Sequence, residues 1–412
     1  MQIRKTKFIL LAILLIFVLF FTNDLGLIDV EKTSIITAIA IDKDDKDYTV
    51  TAQIAVPEAT DTNSENQKAE ISGKGSTIGA ALKDLGDTSG WFPKLAFCNL
   101  IILGDSLSET NVIKVLDYFA KTLRVQDSAL VALCDKSAKE ILSLATPLDN
   151  ISSFAIQKIM LKNIGFDRDI SSTDIKTFCS GHYSKSGSAY MPLIKSIPAK
   201  DSSSSSESSS GGGSSSQEMT GGNQGGGSSG SSDSANKQKN NLFDARTTAL
   251  FKNGYKVGQL DEKLSLTFNA FGPSFNGTTL PIDDVPYGSE MANYLLTVLN
   301  KISSVKLSAT ENDLTLDLKL YLYCKVSDVN VGNSNAALSE NQPLPPEVKL
   351  KAENELKKDI DELILTIKNT ECDIFNLKEK LYRHNYKQYS RYKDNYLSVL
   401  KVNADVKVYG QE

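Results

Sequence analysis

The run Pro93–Leu142, PKLAFCNLIILGDSLSETNVIKVLDYFAKTLRVQDSALVALCDKSAKEIL, decides the fold class. Leu95–Leu103 is a buried-strand signal, Glu109–Thr122 carries a helical pattern, Ser128–Cys134 is a second short strand, and Ser137–Leu144 is again helical. Such alternation predicts a mixed α/β unit with helices covering a sheet. Upstream, Thr77–Leu85 reads as a helix and the polar, turn-rich Glu58–Lys74 as a loop. Ser34–Asp42 and Tyr48–Val56 alternate, are rich in β-branched residues, and predict a pair of antiparallel strands.

The link between those strands crowds Asp42, Asp44, Asp45 and Asp47 together, as a calcium loop would. An EF-hand loop beginning at Asp42 needs Gly sixth and Glu twelfth, where this chain has Asp47 and Gln53, so a solvated hairpin turn is the better reading. Downstream of Leu144, Ser153–Gly165 predicts a helix and Ala189–Pro198 a strand that Pro192 confines to an edge or an irregular course. Asp201 to about Asn240 is almost wholly Ser and Gly with a few polar residues; it cannot bury enough apolar surface to offset its ordering entropy. Arg246–Lys252, Asn253-Gly254 and Tyr255–Gly258 then spell a hairpin, and Leu260–Phe268 a short helix. Tyr294–Leu307 and Leu314–Val326 predict two long antiparallel strands, and Pro346 opens a helix whose stripe is Leu356, Ile360, Leu363, Ile364 and Ile367. A second helical region begins near Cys372, and Val399–Val408 predicts a closing strand.

The other feature that organises the chain is Phe8–Phe21, FILLAILLIFVLFF, preceded by Arg4, Lys5 and Lys7. Its length suits a signal segment better than a full crossing of about 20 residues, but no small-residue cleavage site follows it. The reading is an uncleaved signal anchor spanning residues 1–22, with Phe8, Leu15 and Phe21 as anchor positions, and cations on its amino side placing the bulk of the chain outside the cytoplasm. No cysteine precedes Cys98, so an acylated N-terminal cysteine is excluded and no lipidation site is assigned.

Composition narrows function mostly by exclusion. At 412 residues two or three domains are expected, and a net charge of −5 argues against nucleic acid as the principal partner. Cys98, Cys134, Cys179, Cys324 and Cys372 form no C-x-x-C pair and read as buried thiols. His182 and His384 lie in no metal motif, and neither a nucleophile elbow nor a phosphate loop occurs. Glu371 and Asp373 could serve acid–base chemistry, but they also suit helix-start capping, which is the better reading. Tyr382, Tyr386, Tyr389, Tyr392 and Tyr396, interleaved with Lys and Arg, could form a single-stranded nucleic-acid platform; their spacing favours one face of an amphipathic helix. No catalytic residue, metal ligand or cofactor is assigned, and the chain is read as not an enzyme.

In order, TAIAIDKDDKDYTVTAQIAVPEA, ISGKGSTIGAALKDL and the run from Pro93 to Leu142 resemble the N-terminal domain of the Ger(x)C family, the C subunits of spore germinant receptors. TTALFKNGYKVGQLDE resembles that family's hairpin, and ECDIFNLKEKLYRHNYKQYSRYKDNYLSVLKVNADVKVYG its closing helix and strand. The resemblance implies an α+β fold, a membrane anchor followed by three mixed α/β domains with largely antiparallel sheets. Its divisions are 23–150, 151–285 with a disordered Ser/Gly insertion at 201–240, and 286–412. It further implies a non-catalytic subunit on the outer face of the spore inner membrane, acting in nutrient-triggered germination with polytopic A- and B-type receptor subunits. The chain departs from the family in lacking the lipobox cysteine, in having Cys98-Asn99 for a Gly-His, and in having Tyr396 for a tryptophan. The uncleaved apolar helix is expected to replace the lipid. The rival reading is an anchored extracytoplasmic binding module for cell-wall or small-molecule ligands; an anchored hydrolase using His182 or His384 comes third.

Overall fold

The structure, a computed structural model, describes residues 11, 13–14, 33–55, 68–122, 125–147, 149, 151–161, 169–198, 241–273, 275–288, 290–331 and 343–410. Two sheets carry it. The larger is built from β1 (Thr33–Asp44), β2 (Asp47–Ala55), β3 (Lys68–Gly75), β5 (Leu100–Leu103), β6 (Leu130–Cys134), β8 (Ser188–Pro198), β9 (Asn241–Lys252) and β10 (Tyr255–Leu260), in the order β10-β9-β8-β6-β5-β1-β2-β3. Two short strands, β4 (Phe92–Lys94) and β7 (Thr173–Asp174), pair with β1 and β6 off this path. Its strands come from both sides of residue 150.

The expectation of largely antiparallel sheets holds at the flanks and fails at the centre, where β1, β5, β6 and β8 run parallel. Parallel neighbours need crossovers, and helices supply them. These are α1 (Ile78–Ser89), α2 (Ile113–Thr122), α3 (Ala138–Ser143), α4 (Ser152–Leu161) and α5 (Ile175–Tyr183). Central strands are therefore buried on both faces: Ile101 and Leu103 pack with Phe119 and Phe178, while Leu100 and Ile102 pack with Ile141 and Ile156. That double burial explains why these strands read as unbroken apolar runs.

Several expectations are corrected. The stretch expected as a loop contains β3, a polar edge strand joined to β2 over Tyr48↔Gly75 to Ala55↔Lys68. Of Leu95–Leu103 only the second half is strand; Leu95–Phe97 is a 3₁₀ turn closed by the Cys98 N–H on the Leu95 carbonyl at 3.0 Å. Pro192 lies in an interior strand, but β6 pairs only with Leu193 and Ile194, so at Pro192 the strand is flanked by β9 alone. The Asn-Gly hairpin is as expected, with Asn253 at φ 52° and Gly254 at φ 85°, the two left-handed positions a type I′ turn requires. The stretch 199–240 leaves and returns at one strand pair, Pro198↔Asn241.

The smaller sheet, β11 (Thr279–Tyr287), β12 (Glu290–Ala309), β13 (Leu314–Val331) and β14 (Leu400–Gly410), is antiparallel except for the parallel pairing of β13 with β14. One face packs on α7 (Pro346–Thr370), whose Leu356, Ile360, Leu363, Ile364 and Ile367 are all buried. Helix α6 (Glu262–Ala270) follows β10 and packs against α7, so Leu264 and Phe268 join the core of the second sheet to the first. The tyrosines do not share one helical face. Asn385 at φ −136° and Asn395 at φ −132° break the segment into α8 (Leu377–His384), α9 (Tyr386–Tyr392) and α10 (Tyr396–Val399). Tyr382, Tyr386 and Tyr389 cluster at 5.1–6.3 Å, whereas Tyr392 and Tyr396 turn into the core.

Candidate functional site at the joint between the sheets

The anchor positions Phe8, Leu15 and Phe21 lie outside the described residues. Among the described residues no helix is long and apolar enough to cross a membrane. Of the four crowded aspartates, Asp42 caps α3, accepting from Ser137 Oγ and the Ala138 and Lys139 amides at 2.8–3.0 Å, while Asp44 and Asp47 pair across the hairpin turn, in which Asp45 takes a left-handed φ of 45°. His182 ends α5, its ring edge-on to Tyr183 and its Nδ1 buried without a hydrogen-bond partner; burial lowers its pKa. His384 is exposed at the end of α8. No group of potential metal ligands occurs among the described residues.

A buried polar constellation forms where the second sheet meets the first. Helix α7 stops at Glu371, which sits at φ 52°. The link Cys372–Asn376 then runs between the sheets before α8 starts. Within it Asp373 is fully buried. Its carboxylate accepts from the Leu377 and Lys378 amides, both at 2.9 Å, and from the Tyr396 hydroxyl at 3.2 Å. A carboxylate at a helix start satisfies amides that have no partner inside the helix, so the capping reading describes Asp373. Burial raises its pKa, and those three hydrogen bonds oppose the rise. The Tyr396 hydroxyl is pushed far up by the same burial and the carboxylate beside it.

The other half of the joint is the Ser-rich turn Ser184–Ser188, between α5 and β8. Ser188 Oγ accepts the Asp373 amide at 2.9 Å, Ser186 Oγ donates to Asn376 Oδ1 at 3.3 Å, and the Lys185 amide donates to Glu379 at 2.9 Å. Cys372 Sγ donates to the Phe251 carbonyl at 3.2 Å, and Lys252 Nζ to the Ser186 carbonyl at 2.7 Å. Burial lowers the Lys252 pKa. The sequence alone points to Asp373; it does not point to Ser188 or Lys252, because the bond between Ser188 and Asp373 spans 185 positions.

Beside the joint lies a cleft of about 460 Å³, within the range of small-molecule pockets. Its walls include Met160, Tyr190, Phe268, Phe271, Phe375 and Lys380. The aromatic rings meet edge to face, Tyr190 on Phe268 at 5.0 Å and Phe375 on Phe268 and Phe271 at 5.6 and 5.8 Å. Burial lowers the Lys380 pKa, partly offset by Asp373. Lys301 of β12 donates to the Ala270 carbonyl at 2.6 Å and to that of Gly272, closing the C-terminal end of α6. The arrangement can hold two sheets in a fixed relation and receive a ligand or a partner side chain beside them.

Residues 27–196 match the family model described as spore germination protein N-terminal domain, and residues 246–410 match the one described as spore germination B3/GerAC like, C-terminal. The solved structure titled "Crystal Structure of the GerBC protein" is 13% identical, covers 93% of this chain and 100% of that chain, and superposes with a TM-score of 0.49. No curated relative matches the chain. Both family domains of spore germination proteins are thus present, in order, on either side of the Ser/Gly tract. The chain belongs to the Ger(x)C family of spore germination proteins, whose members work within germinant receptor complexes.

Proposed function

We propose that this chain is a non-catalytic, membrane-anchored subunit of a spore germinant receptor, lying on the outer face of the spore inner membrane with polytopic A- and B-type subunits as its partners. The observation that carries the reading is the ordered pair of family matches over 27–196 and 246–410. The apolar run Phe8–Phe21 with its cationic flank supports the anchor and its sidedness. Tagged full-length protein, recovered from detergent-solubilised inner membranes of dormant spores, is expected to bring polytopic receptor subunits with it in fixed proportion. Recovery of the chain alone would overturn the subunit assignment. The cleft beside the joint favours the second reading, an anchored binding module for cell-wall or small-molecule ligands, which retention on purified peptidoglycan or a ligand-induced thermal shift would support.

A further inference from the structure

The protein's single tryptophan stands in water, and it is not alone. Trp91 is 46% exposed, Phe92 42%, Phe97 52% and Ile35 45%. All four gather where β1 begins, because β4 pairs with the start of β1 through Thr33↔Phe92, Ser34↔Pro93 and Ile35↔Lys94. The aromatics are rigidly presented. Gly90, at φ 72°, ends α1 by donating its amide to the Gly86 carbonyl, and the Trp91 amide donates to Ser89 Oγ at 3.2 Å. Leu95, fully packed in the core behind them, pins the following turn. A groove of about 560 Å³ runs beside Trp91, bounded by Leu82, Gly86, Pro93 and Tyr118. From Thr88 to Gly104 the only charged residue is Lys94, which is exposed.

A soluble surface rarely displays three aromatics together, and the one carboxylate on the groove beside them, Asp87, is paired with Lys83. Their place in the chain says what covers them. Thr33, the partner of Phe92, follows the apolar run that ends at Phe21 by residues 22–32, which in any conformation span at most about 40 Å. Whatever bilayer that run enters, the patch stays within that reach of its surface. Trp and Phe beside a lone Lys are the side chains that settle at the headgroup level, rings among the acyl–headgroup boundary and the ammonium towards phosphate.

We infer that Trp91, Phe92 and Phe97 form a second membrane contact, seating the N-terminal end of the large sheet on the lipid surface with Lys94 at the phosphates. This rests on the anchored reading above. The test uses the full chain, its N-terminal run included, reconstituted into phosphatidylcholine/phosphatidylglycerol vesicles, with Trp91 as its own reporter. Flotation with the vesicles reads the anchor; Trp91 emission reads the patch. The expected result is blue-shifted emission, quenching by lipids spin-labelled near the headgroup, and loss of quenching by aqueous iodide. Phe92→Ser/Phe97→Ser, both at exposed positions, should restore iodide quenching while flotation persists. A chain that floats but whose Trp91 stays open to iodide and blind to the labelled lipid overturns the inference and leaves the anchor standing. A chain that does not float overturns the anchor and the inference with it.

Discussion

Replacing Asp373 by Ala tests whether the joint is held as described. The substitution strands three donors, the buried Leu377 amide and Tyr396 hydroxyl and the half-buried Lys378 amide. An unsatisfied buried donor costs about 1–3 kcal/mol, and the Lys378 amide, being only part-buried, counts at the low end; the sum is about 3–7 kcal/mol. Unfolding of the detergent-solubilised chain, followed by circular dichroism, should move down by roughly 10 °C. Hydrogen exchange at the Leu377 and Lys378 amides should lose its protection first. Tyr396→Phe removes one of the three bonds and should cost about 1 kcal/mol.

Asp373→Asn isolates charge from shape. Because burial raises the Asp373 pKa above its ordinary 3.8, the folded chain keeps that proton to higher pH than the unfolded chain does. The group's contribution is therefore complete below about 4 and is lost as pH rises through the folded value. Asp373→Asn should flatten that slope in a series of urea titrations. A stability of Asp373→Ala within about 0.5 kcal/mol of the native chain, with exchange at Leu377 and Lys378 unchanged, would refute the capping role and with it the account of the joint.

Gly104→Ala would drive a Cβ into Asp42 Oδ1 and to 3.2 Å from the Ala138 amide, displacing the cap of α3; a loss of about 1–3 kcal/mol in urea unfolding is expected. Burial pushes the Cys98, Cys134, Cys324 and Cys372 thiols up to about 12, so at pH 8 these four should resist alkylation in the folded chain and react once it is unfolded in guanidinium. Replacing 199–240 by Asn-Gly should leave the fold intact, since its ends meet at Pro198↔Asn241; the shorter loop lowers closure entropy by about 2–3 kcal/mol, read as a higher melting temperature.

Much of the fold was legible because local signals agreed with it. Asn253-Gly254 dictates its hairpin, Pro346 opens α7, and the alternation of Leu314–Val326 matches a strand with Leu316, Leu318, Leu320 and Leu322 all turned inward. Misreadings occurred where distant partners decide. In β3, KAEISGKG is polar and glycine-bearing, and it becomes a strand only because β2 supplies the ladder and α1 packs so close that Cβ atoms at Gly73 and Gly75 would strike its backbone. The tyrosine spacing fits a helix; it cannot show that Asn385 and Asn395 break it. At the joint, Asp373 stood out as a capping carboxylate, but its contacts with the Ser184–Ser188 turn are set by how two sheets meet. The exposure of Trp91, Phe92 and Phe97 was hidden likewise, since the same letters would suit a core.

The parallel union of β13 with β14 carries a consequence for biosynthesis. On its other edge from β12, Leu314–Cys324 pairs with Leu400–Gly410, the last described strand, with all of α7 to α10 between them. While the chain emerges from N- to C-terminus, β12 and β13 can pair at once across their turn, leaving the far edge of β13 with unpaired backbone groups and inward leucines half covered. That edge stays sticky until the final strand arrives, so the second sheet closes late and by long-range pairing, the slow kind. A truncation before Leu400 should therefore shed not only the eleven residues of β14 and the two after it but the solubility of everything after β11.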